Sequence, residues 1–269
     1  MSILNVTPDS FSDGGKNYNL DPDSLHRTIL SHVSAGATII DIGGQSTRPG
    51  SPQASSSEEL QRVLPAINLI RSLNLPNIPI SIDTYRADVA EAAINAGAHI
   101  INDVSAGQMD PAMLPTAAKL GCTVCLMHMR GTPETMNFLT DYPAGLLETI
   151  GAELLARVHD AEAAGIRRWR IILDPGIGFA KTLDQNLELL RRFEELRAYP
   201  GLENFPWLVG TSRKAFIGKI TGVEEARERV WGTAASVAAA VQGGADVVRV
   251  HDVKEMGQVA RMADAIWRV

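Results

Sequence analysis

Cysteine is nearly absent from this chain of 269 residues: Cys122 and Cys125 are the two it has. Two thiols cannot make the disulfide framework of a small secreted domain. They lie in C-T-V-C, inside an apolar run, and residues three apart on a strand point to opposite faces. The reading is therefore two separate buried thiols rather than a redox or zinc pair. With no secretory leader, they predict a reducing intracellular compartment, cytoplasmic, or mitochondrial if the source is eukaryotic. A basic excess is also missing. The net charge is -6, which argues against a nucleic-acid binder driven by phosphate contacts but leaves room for a local cationic pocket. No apolar run is long enough to cross a bilayer. There is no G-x-G-x-x-G after an early strand, and D-P-G-I-G-F-A-K-T at 174–182 lacks Walker A spacing. Asn5-Val6-Thr7 matches a glycosylation acceptor, but Pro8 and the intracellular reading exclude that use.

What the chain does have is an internal repeat. A-G-A-T-I-I-D-I-G (35–43), A-G-A-H-I-I-N-D-V (96–104), L-G-C-T-V-C-L-M-H (120–128) and G-G-A-D-V-V-R-V-H-D (243–252) share one design. In each, glycine follows a helical stretch, where a left-handed residue ends the helix, and an apolar run then begins. The runs lack alternation, as expected of parallel strands buried on both faces. They predict strands near 3–6, 38–42, 78–82, 99–102, 123–127, 170–174, 207–210 and 247–250, with helices between. Asp21-Pro22 and Asp110-Pro111 read as N-cap plus Pro at the first helical position. Ser56 with Glu59, and Thr182 with Gln185, have capping-box spacing. Eight β-then-α units suit one domain over 1–269, an α/β fold of the (β/α)₈ (TIM) barrel type, which usually takes roughly 250 residues. A doubly wound open sheet is the structural alternative.

In such a barrel the strand C-termini form the active face. Here each ends on polar residues: Asn5, Asp41, Asp83, Asn102, His128, Asp174, the stretch Thr211-Ser212-Arg213-Lys214, and Arg249 with His251. One polar end could be a satisfied core hydrogen bond. Eight together predict a ligand-lined mouth. Asp83, Asn102 and Asp174 suit a flat heterocycle with an amino-amide edge, because a fixed carboxylate accepts two parallel N–H bonds. Arg48, Arg249, His251 and Lys214 suit a phosphate-bearing group. A general acid and base is the alternative use of the paired Asp residues. Two loops, T-P-D-S-F-S-D-G-G-K (7–16) and G-G-Q-S-T-R-P-G-S-P (43–52), are rich in Gly, Pro and Ser. They carry Phe11 and Arg48, which are costly to leave exposed without a partner, so they read as lids. The 174–182 segment reads as a tight turn that sets Asp174 in the mouth and leaves Phe179 to stack.

Together these segments resemble the dihydropteroate synthase family. The resemblance rests on I-L-N-V-T-P-D-S-F-S-D-G-G (3–15), G-G-Q-S-T-R-P-G (43–50), I-S-I-D-T-Y (80–85), I-N-D-V (101–104), M-H-M-R-G-T-P (127–133), D-P-G-I-G-F-A-K-T (174–182), T-S-R-K-A-F-I-G (211–218) and R-V-H-D-V (249–253), in family order. It implies a folate-pathway transferase joining 6-hydroxymethyl-7,8-dihydropterin diphosphate to p-aminobenzoate, with release of diphosphate through a cation-like pterin centre. It implies that Asp83, Asn102, Asp174 and Lys214 hold the pterin, with Met127 and Phe179 packing its ring. Asn5 would contact Mg²⁺ carried by the diphosphate. Thr47, Arg48, Arg249 and His251 would bind the diphosphate itself. Phe11, Thr47, Pro49, Phe179 and Lys214 would shape the p-aminobenzoate pocket, with Asp13 on the closing loop. Asp13, Arg48, Lys214, Arg249 and His251 are the catalytic set that follows.

The resemblance also implies sulfonamides as ligands and a homodimer through the last helices, where G-T-A-A-S-V-A-A-A-V (232–241) offers small residues for close packing. Gln45 departs from the usual Glu and Ala215 from a common Ser. Gln45, Ala180 and Thr211 point to the fungal branch, where this domain follows two other folate-pathway enzymes. Family members usually have more residues before the first strand, so a trimmed domain is expected. The rival readings are a methyltetrahydrofolate–corrinoid methyltransferase barrel, which has no reason to carry the two loops or the Arg249/His251 anion site, and a catalytically silent barrel, which would have broken site chemistry.

Overall fold

The computed structural model describes residues 1–7, 22–45 and 53–268, with the backbone only at Pro22. Strands and helices alternate as the repeat requires. The first half runs β1 (Ser2–Asn5), α1 (Pro22–Ser34), β2 (Ile40–Gly43), α2 (Ser56–Ser72), β3 (Ile80–Asp83), α3 (Ala87–Asn95), β4 (Ile100–Asp103) and α4 (Met113–Leu120). The second runs β5 (Thr123–Met127), α5 (Leu146–Ala163), β6 (Ile171–Asp174), α6 (Leu183–Arg191), α7 (Phe193–Arg197), β7 (Leu208–Val209), α8 (Ala215–Thr221), α9 (Val230–Gln242), β8 (Val247–Val248) and α10 (Val253–Trp267).

β1 to β6 form one parallel sheet in sequence order, and β7 pairs with β8. Single parallel bridges join the two sheets, Leu173 to Trp207 and Ser2 to Val250. Ile3 N donates to Val250 O at 3.0 Å, and Val250 N to Met1 O at 3.0 Å. These contacts close the eight strands into a ring. The last two strands are only two residues long, so the closure is thinner than the rest.

Two apolar layers follow from strand parity. Leu4, Ile40, Ile42, Ile80, Ile82, Ile101, Val124 and Leu126 face the helices in one large cluster. Met1, Cys125, Ile172 and Leu208 pack separately. Cys122 belongs to the first layer and Cys125 to the second, and both are free. Opposite faces, as the spacing requires, keep the thiols apart.

The caps show where local reading holds. Thr182 and Gln185 form the expected capping box on α6. On α2 the box uses Ser55 and Glu58 instead of Ser56 and Glu59. The shift has a cause: Glu59 is fully buried and ion-paired with Arg86, so it cannot reach back to the helix start. Asp110 likewise does not cap a helix beginning at Pro111, since α4 starts at Met113. Its carboxylate accepts from Ala112 N at 2.9 Å and from Ala87 N at 2.7 Å. It thus satisfies the first turn of α3 as well as the turn entering α4. Asp21 lies outside the described residues, while α1 does begin at Pro22.

Candidate functional site

Register places Asn5, Asp83 and Asn102 level with one another, while Asp174 lies two residues further along its strand. Gly43 lies opposite Asp83, Asp83 opposite Asn102, and Met127 opposite Asp174. Asn5 lies opposite Gly43 at the end of β1. A side-chain carbon at Gly43 would stand 3.3 Å from Asn5 Oδ1 and 3.7 Å from Asp83 Oδ2. The missing side chain is what lets these two oxygens flank the same backbone.

An ion-pair network fills the centre. Arg249 Nε lies 2.6 Å from Asp41 Oδ2, and Arg249 Nη2 lies 2.6 Å from Asp83 Oδ2. Asn102 Nδ2 donates to the same Asp41 oxygen at 3.1 Å. Asp41 is fully buried and was read from sequence only as one more polar strand end. It holds the Asn102 amide and the Arg249 guanidinium in fixed orientations. Burial raises the Asp83 carboxyl to about 7, against the opposing pull of Arg249. A carboxyl with that midpoint ionises readily when a cationic or N–H-rich ligand arrives.

The second half of the mouth is built on the 174–182 turn. Gly176 N donates to Asp174 Oδ1 at 2.7 Å, and Phe179 N donates to Gly176 O at 3.1 Å. Gly176 has φ +69°, and a side-chain carbon there would lie 2.0 Å from His128 O. Only glycine fits. Asp174 is buried, and that burial raises its carboxyl above the ordinary range. Lys214 Nζ donates to Ile177 O and sits 4.8 Å from the Phe179 ring centre. Burial lowers its ammonium to about 8, with Asp174 pulling the other way. Met127 lies in an apolar cluster with Tyr85, Val104, Met129 and Met136, against which Phe179 packs. The mouth therefore has one greasy wall and one charged wall.

His251 stands at the end of the barrel seam. Its backbone N–H donates to Ser212 Oγ at 3.1 Å, and its Nδ1 is 3.0 Å from the same oxygen. Both contacts are met when Ser212 donates to Nδ1, leaving Nε2–H free to donate. Burial pushes the imidazole well below its ordinary range, and Arg213 and Arg249 add to that. His251 is therefore a neutral hydrogen-bond donor, not a standing cation. Arg213, part of the polar stretch after β7, is committed elsewhere: its guanidinium forks onto Asp252 at 2.5 and 3.0 Å. That fork ties the loop after β7 to the start of α10.

The structure thus brings together Asn5, Asp83, Asn102, Met127, Asp174, Phe179, Lys214, Arg249 and His251 at one end of the barrel. Phe11, Asp13, Thr47, Arg48 and Pro49 lie outside the described residues. Among the described residues, no group of three or more His, Cys, Asp or Glu side chains is placed to hold a metal ion.

With this geometry in place, the likeness to known proteins is informative. The pterin binding enzyme family matches residues 1–251. The dihydropteroate synthase of Synechocystis is 50% identical over all of this chain and 90% of its own length. The chain belongs to the pterin-binding enzymes, in the dihydropteroate synthase family. The folic acid synthesis protein of Pneumocystis carinii is 52% identical over 100% of this chain, which spans only 36% of that longer protein. Near-equal identity to a fungal and a cyanobacterial relative does not separate the two branches. Among solved structures, the Yersinia pestis dihydropteroate synthase with a sulfonamide drug superposes with a TM-score of 0.90 at 41% identity, covering 99% of this chain and 92% of that one. A Xanthomonas albilineans synthase with 4-aminobenzoic acid gives 0.88 at 38% identity, covering 100% and 93%. The expected barrel fold is borne out by both.

The family departures now have a structural setting. Gln45 is buried and its Oε1 accepts from Ala54 N at 2.6 Å. It pins the far end of the loop that follows β2. Ala215 is the first residue of α8, directly after Lys214. Two residues near the mouth escaped the sequence reading of roles: Glu153, 2.8 Å from His128 Nε2, and Lys181, 2.9 Å from His128 Nδ1. Lys181 was visible inside the 174–182 motif, but nothing in the spacing showed that its amine turns back onto Gly176 O, Phe179 O and His128.

Proposed function

We propose that this chain condenses 6-hydroxymethyl-7,8-dihydropterin diphosphate with p-aminobenzoate to give 7,8-dihydropteroate and diphosphate. The observation that carries the reading is the set of largely buried groups at the strand ends, Asp83, Asn102 and Asp174, with Arg249 paired to Asp83 and Lys214 beside Asp174. Two carboxyl groups and an amide match the donor-rich edge of a pterin, and Met127 with Phe179 supplies the apolar wall for its ring.

In the reaction the methylene C–O bond to diphosphate breaks and a C–N bond to the arylamine forms, the amine losing a proton. No nucleophilic side chain is required. The carboxyl groups of Asp83 and Asp174 face positive charge developing on the pterin, and Arg249 and His251 stabilise the departing anion. Thr47 and Arg48 join them in this reading, while Phe11, Pro49, Phe179 and Lys214 contact the arylamine and Asp13 closes over it. Asn5 fits Mg²⁺ brought by the diphosphate, because its amide oxygen beside Gly43 is a hard donor of the kind such an ion accepts. The ion supplies charge neutralisation on the leaving group.

Two further parts belong to the proposal. A second copy of the chain packs on the last helices, where Ile220, Trp231, Met262 and Ile266 are exposed apolar side chains. The compartment is cytoplasmic, or mitochondrial as in the Arabidopsis thaliana relative so named. No helix among the described residues is long and apolar enough to cross a membrane.

Turnover tests the reading. The protein is incubated with the pterin diphosphate, p-aminobenzoate and Mg²⁺, and dihydropteroate and diphosphate are followed together. Stoichiometric appearance of both is expected. Folded protein that binds pterin and forms neither product would overturn it.

A further inference from the structure

Behind the 174–182 turn lies a buried polar chain that the reaction does not use. Lys181 Nζ donates to Gly176 O at 3.0 Å and to Phe179 O at 3.0 Å, and it is 2.9 Å from His128 Nδ1. His128 Nε2 is 2.8 Å from Glu153 Oε2. Glu153 is itself held by Arg130, whose Nη2 lies 2.6 Å away. Lys181 and His128 are buried, whereas Glu153 is 39% exposed and lines a surface cavity of about 340 Å³. The chain therefore runs from the back of the mouth to solvent.

The hydrogen bonds fix the protons. An ammonium has three donors and Lys181 has three acceptors, so all are matched. His128 then accepts at Nδ1 and donates from Nε2 to the Glu153 carboxylate. The two carbonyls that Lys181 grips frame the turn from which Ile177 O receives Lys214 and from which Phe179 projects. Gly176 N in turn orients Asp174. One buried amine thus sets three groups of the mouth without reaching it.

We propose that Lys181 is a positioning residue for pterin binding, its ammonium locking the 174–182 turn and its proton retained through the His128–Glu153 chain. This rests on the reading of the mouth as a pterin pocket. An unprotonated amine has two donors for the same three acceptors and must turn its lone pair toward one of them, so the grip on the turn loosens and Phe179 and Asp174 lose their fixed orientation. Burial lowers Lys181 to about 7, with Asp174 opposing and Lys214 adding. The charged and titratable groups around it are Asp174 from β6, His128 and Arg130 after β5, Glu153 from α5, Lys214 at the start of α8, and Tyr142, which donates to Ala180 O at 2.8 Å. Of these, Glu153 is the anion remote from the mouth. Neutralising it weakens the hold on the proton without touching substrate.

The test is calorimetric binding of a 6-hydroxymethylpterin lacking diphosphate across pH 6–9, for the native protein, Lys181→Met and Glu153→Gln, with steady-state kinetics alongside. For Lys181→Met, pterin binding weaker by about tenfold is expected, with the KM for p-aminobenzoate little changed. For Glu153→Gln, the alkaline fall in pterin affinity should move down by about half a pH unit. The ligand's own ionisation is common to both proteins and cancels in the comparison. A residue that only supports the fold would lower affinity equally at every pH. Native-like pterin affinity in Lys181→Met, or an unmoved profile in Glu153→Gln, overturns the proposal. If Lys181→Met does not fold, the Glu153→Gln profile decides alone. Native protein that fails to bind pterin overturns the pterin reading instead.

Discussion

Arg249 Nη2 lies 2.6 Å from Asp83 Oδ2, so a cation assigned to the diphosphate is paired with an anion assigned to the pterin. Under the proposed function the two substrate halves would be read by one coupled network, with Asp41 as its buried anchor. Because burial raises Asp83 to about 7, its ionised form is held against the fold's preference. Between the ordinary carboxyl value and 7 the native state binds more protons than the unfolded state, so stability falls as pH rises through that window. Asp83→Asn should then leave the melting temperature at neutral pH unchanged or higher, while pterin affinity falls by about tenfold to a hundredfold through loss of a charge-assisted contact. Calorimetry and thermal melting on one preparation check both halves. Native-like pterin affinity in this variant would remove Asp83 from the pterin site.

Gly176→Ala should be disruptive out of proportion to one methyl group. Its carbon would lie 2.0 Å from His128 O, with φ at +69°. A loss of about 2 kcal/mol or more is expected, because backbone must move and the left-handed conformation penalises alanine. Denaturant unfolding measures it. A variant within about 0.5 kcal/mol of native would show the turn to be adaptable.

Acid should weaken the fold through His128. Burial and the neighbouring Lys181 lower this imidazole to about 4. The native state therefore binds fewer protons than the unfolded state between pH 4 and the ordinary histidine value, and stability present above that value is lost as pH falls toward 4. Glu153, held near 2 by its contacts with His128 and Arg130, acts in the same direction at lower pH. Asp83 acts oppositely. Comparing native protein with His128→Gln isolates the histidine: native stability should drop by about 2 kcal/mol more than the variant's between pH 7 and 4.5. Parallel melting curves would show that His128 does not titrate in this range.

The Glu59–Arg86 pair offers a sharper packing test. Glu59 is fully buried and Arg86 also donates to Ala54 O at 2.6 Å. Arg86→Met leaves a buried carboxylate without its cation and should cost about 3–5 kcal/mol. Glu59→Met combined with Arg86→Met should recover much of that, since removing both charges spares the desolvation. A double variant as unstable as the single would mean that the Ala54 contact dominates.

How much of this was legible in the sequence depends on how local the signal is. The strand positions were readable because each carries its own apolar run and glycine stop, and β6 falls within one residue of its expected start. Thr182 was readable as a cap because both partners lie within four residues. Glu59 was not, since the arginine that draws it inward is far along the chain. Asp83, Asn102 and Asp174 announced themselves as strand ends. The roles of Asp41, Lys181 and Glu153 arise from pairing across the barrel, and a one-dimensional pattern carries no trace of which polar groups meet.

The seam of the ring has a consequence for synthesis. Met1 N donates to Val248 O across 247 residues of separation. Until the eighth strand leaves the ribosome, the first has one open edge, with unpaired amides that invite association with other chains. A contact of such sequence separation is also slow to form. Chaperone dependence and aggregation during expression should therefore respond most to substitutions at Ser2 and Val250, the two residues whose bridge ends that exposure.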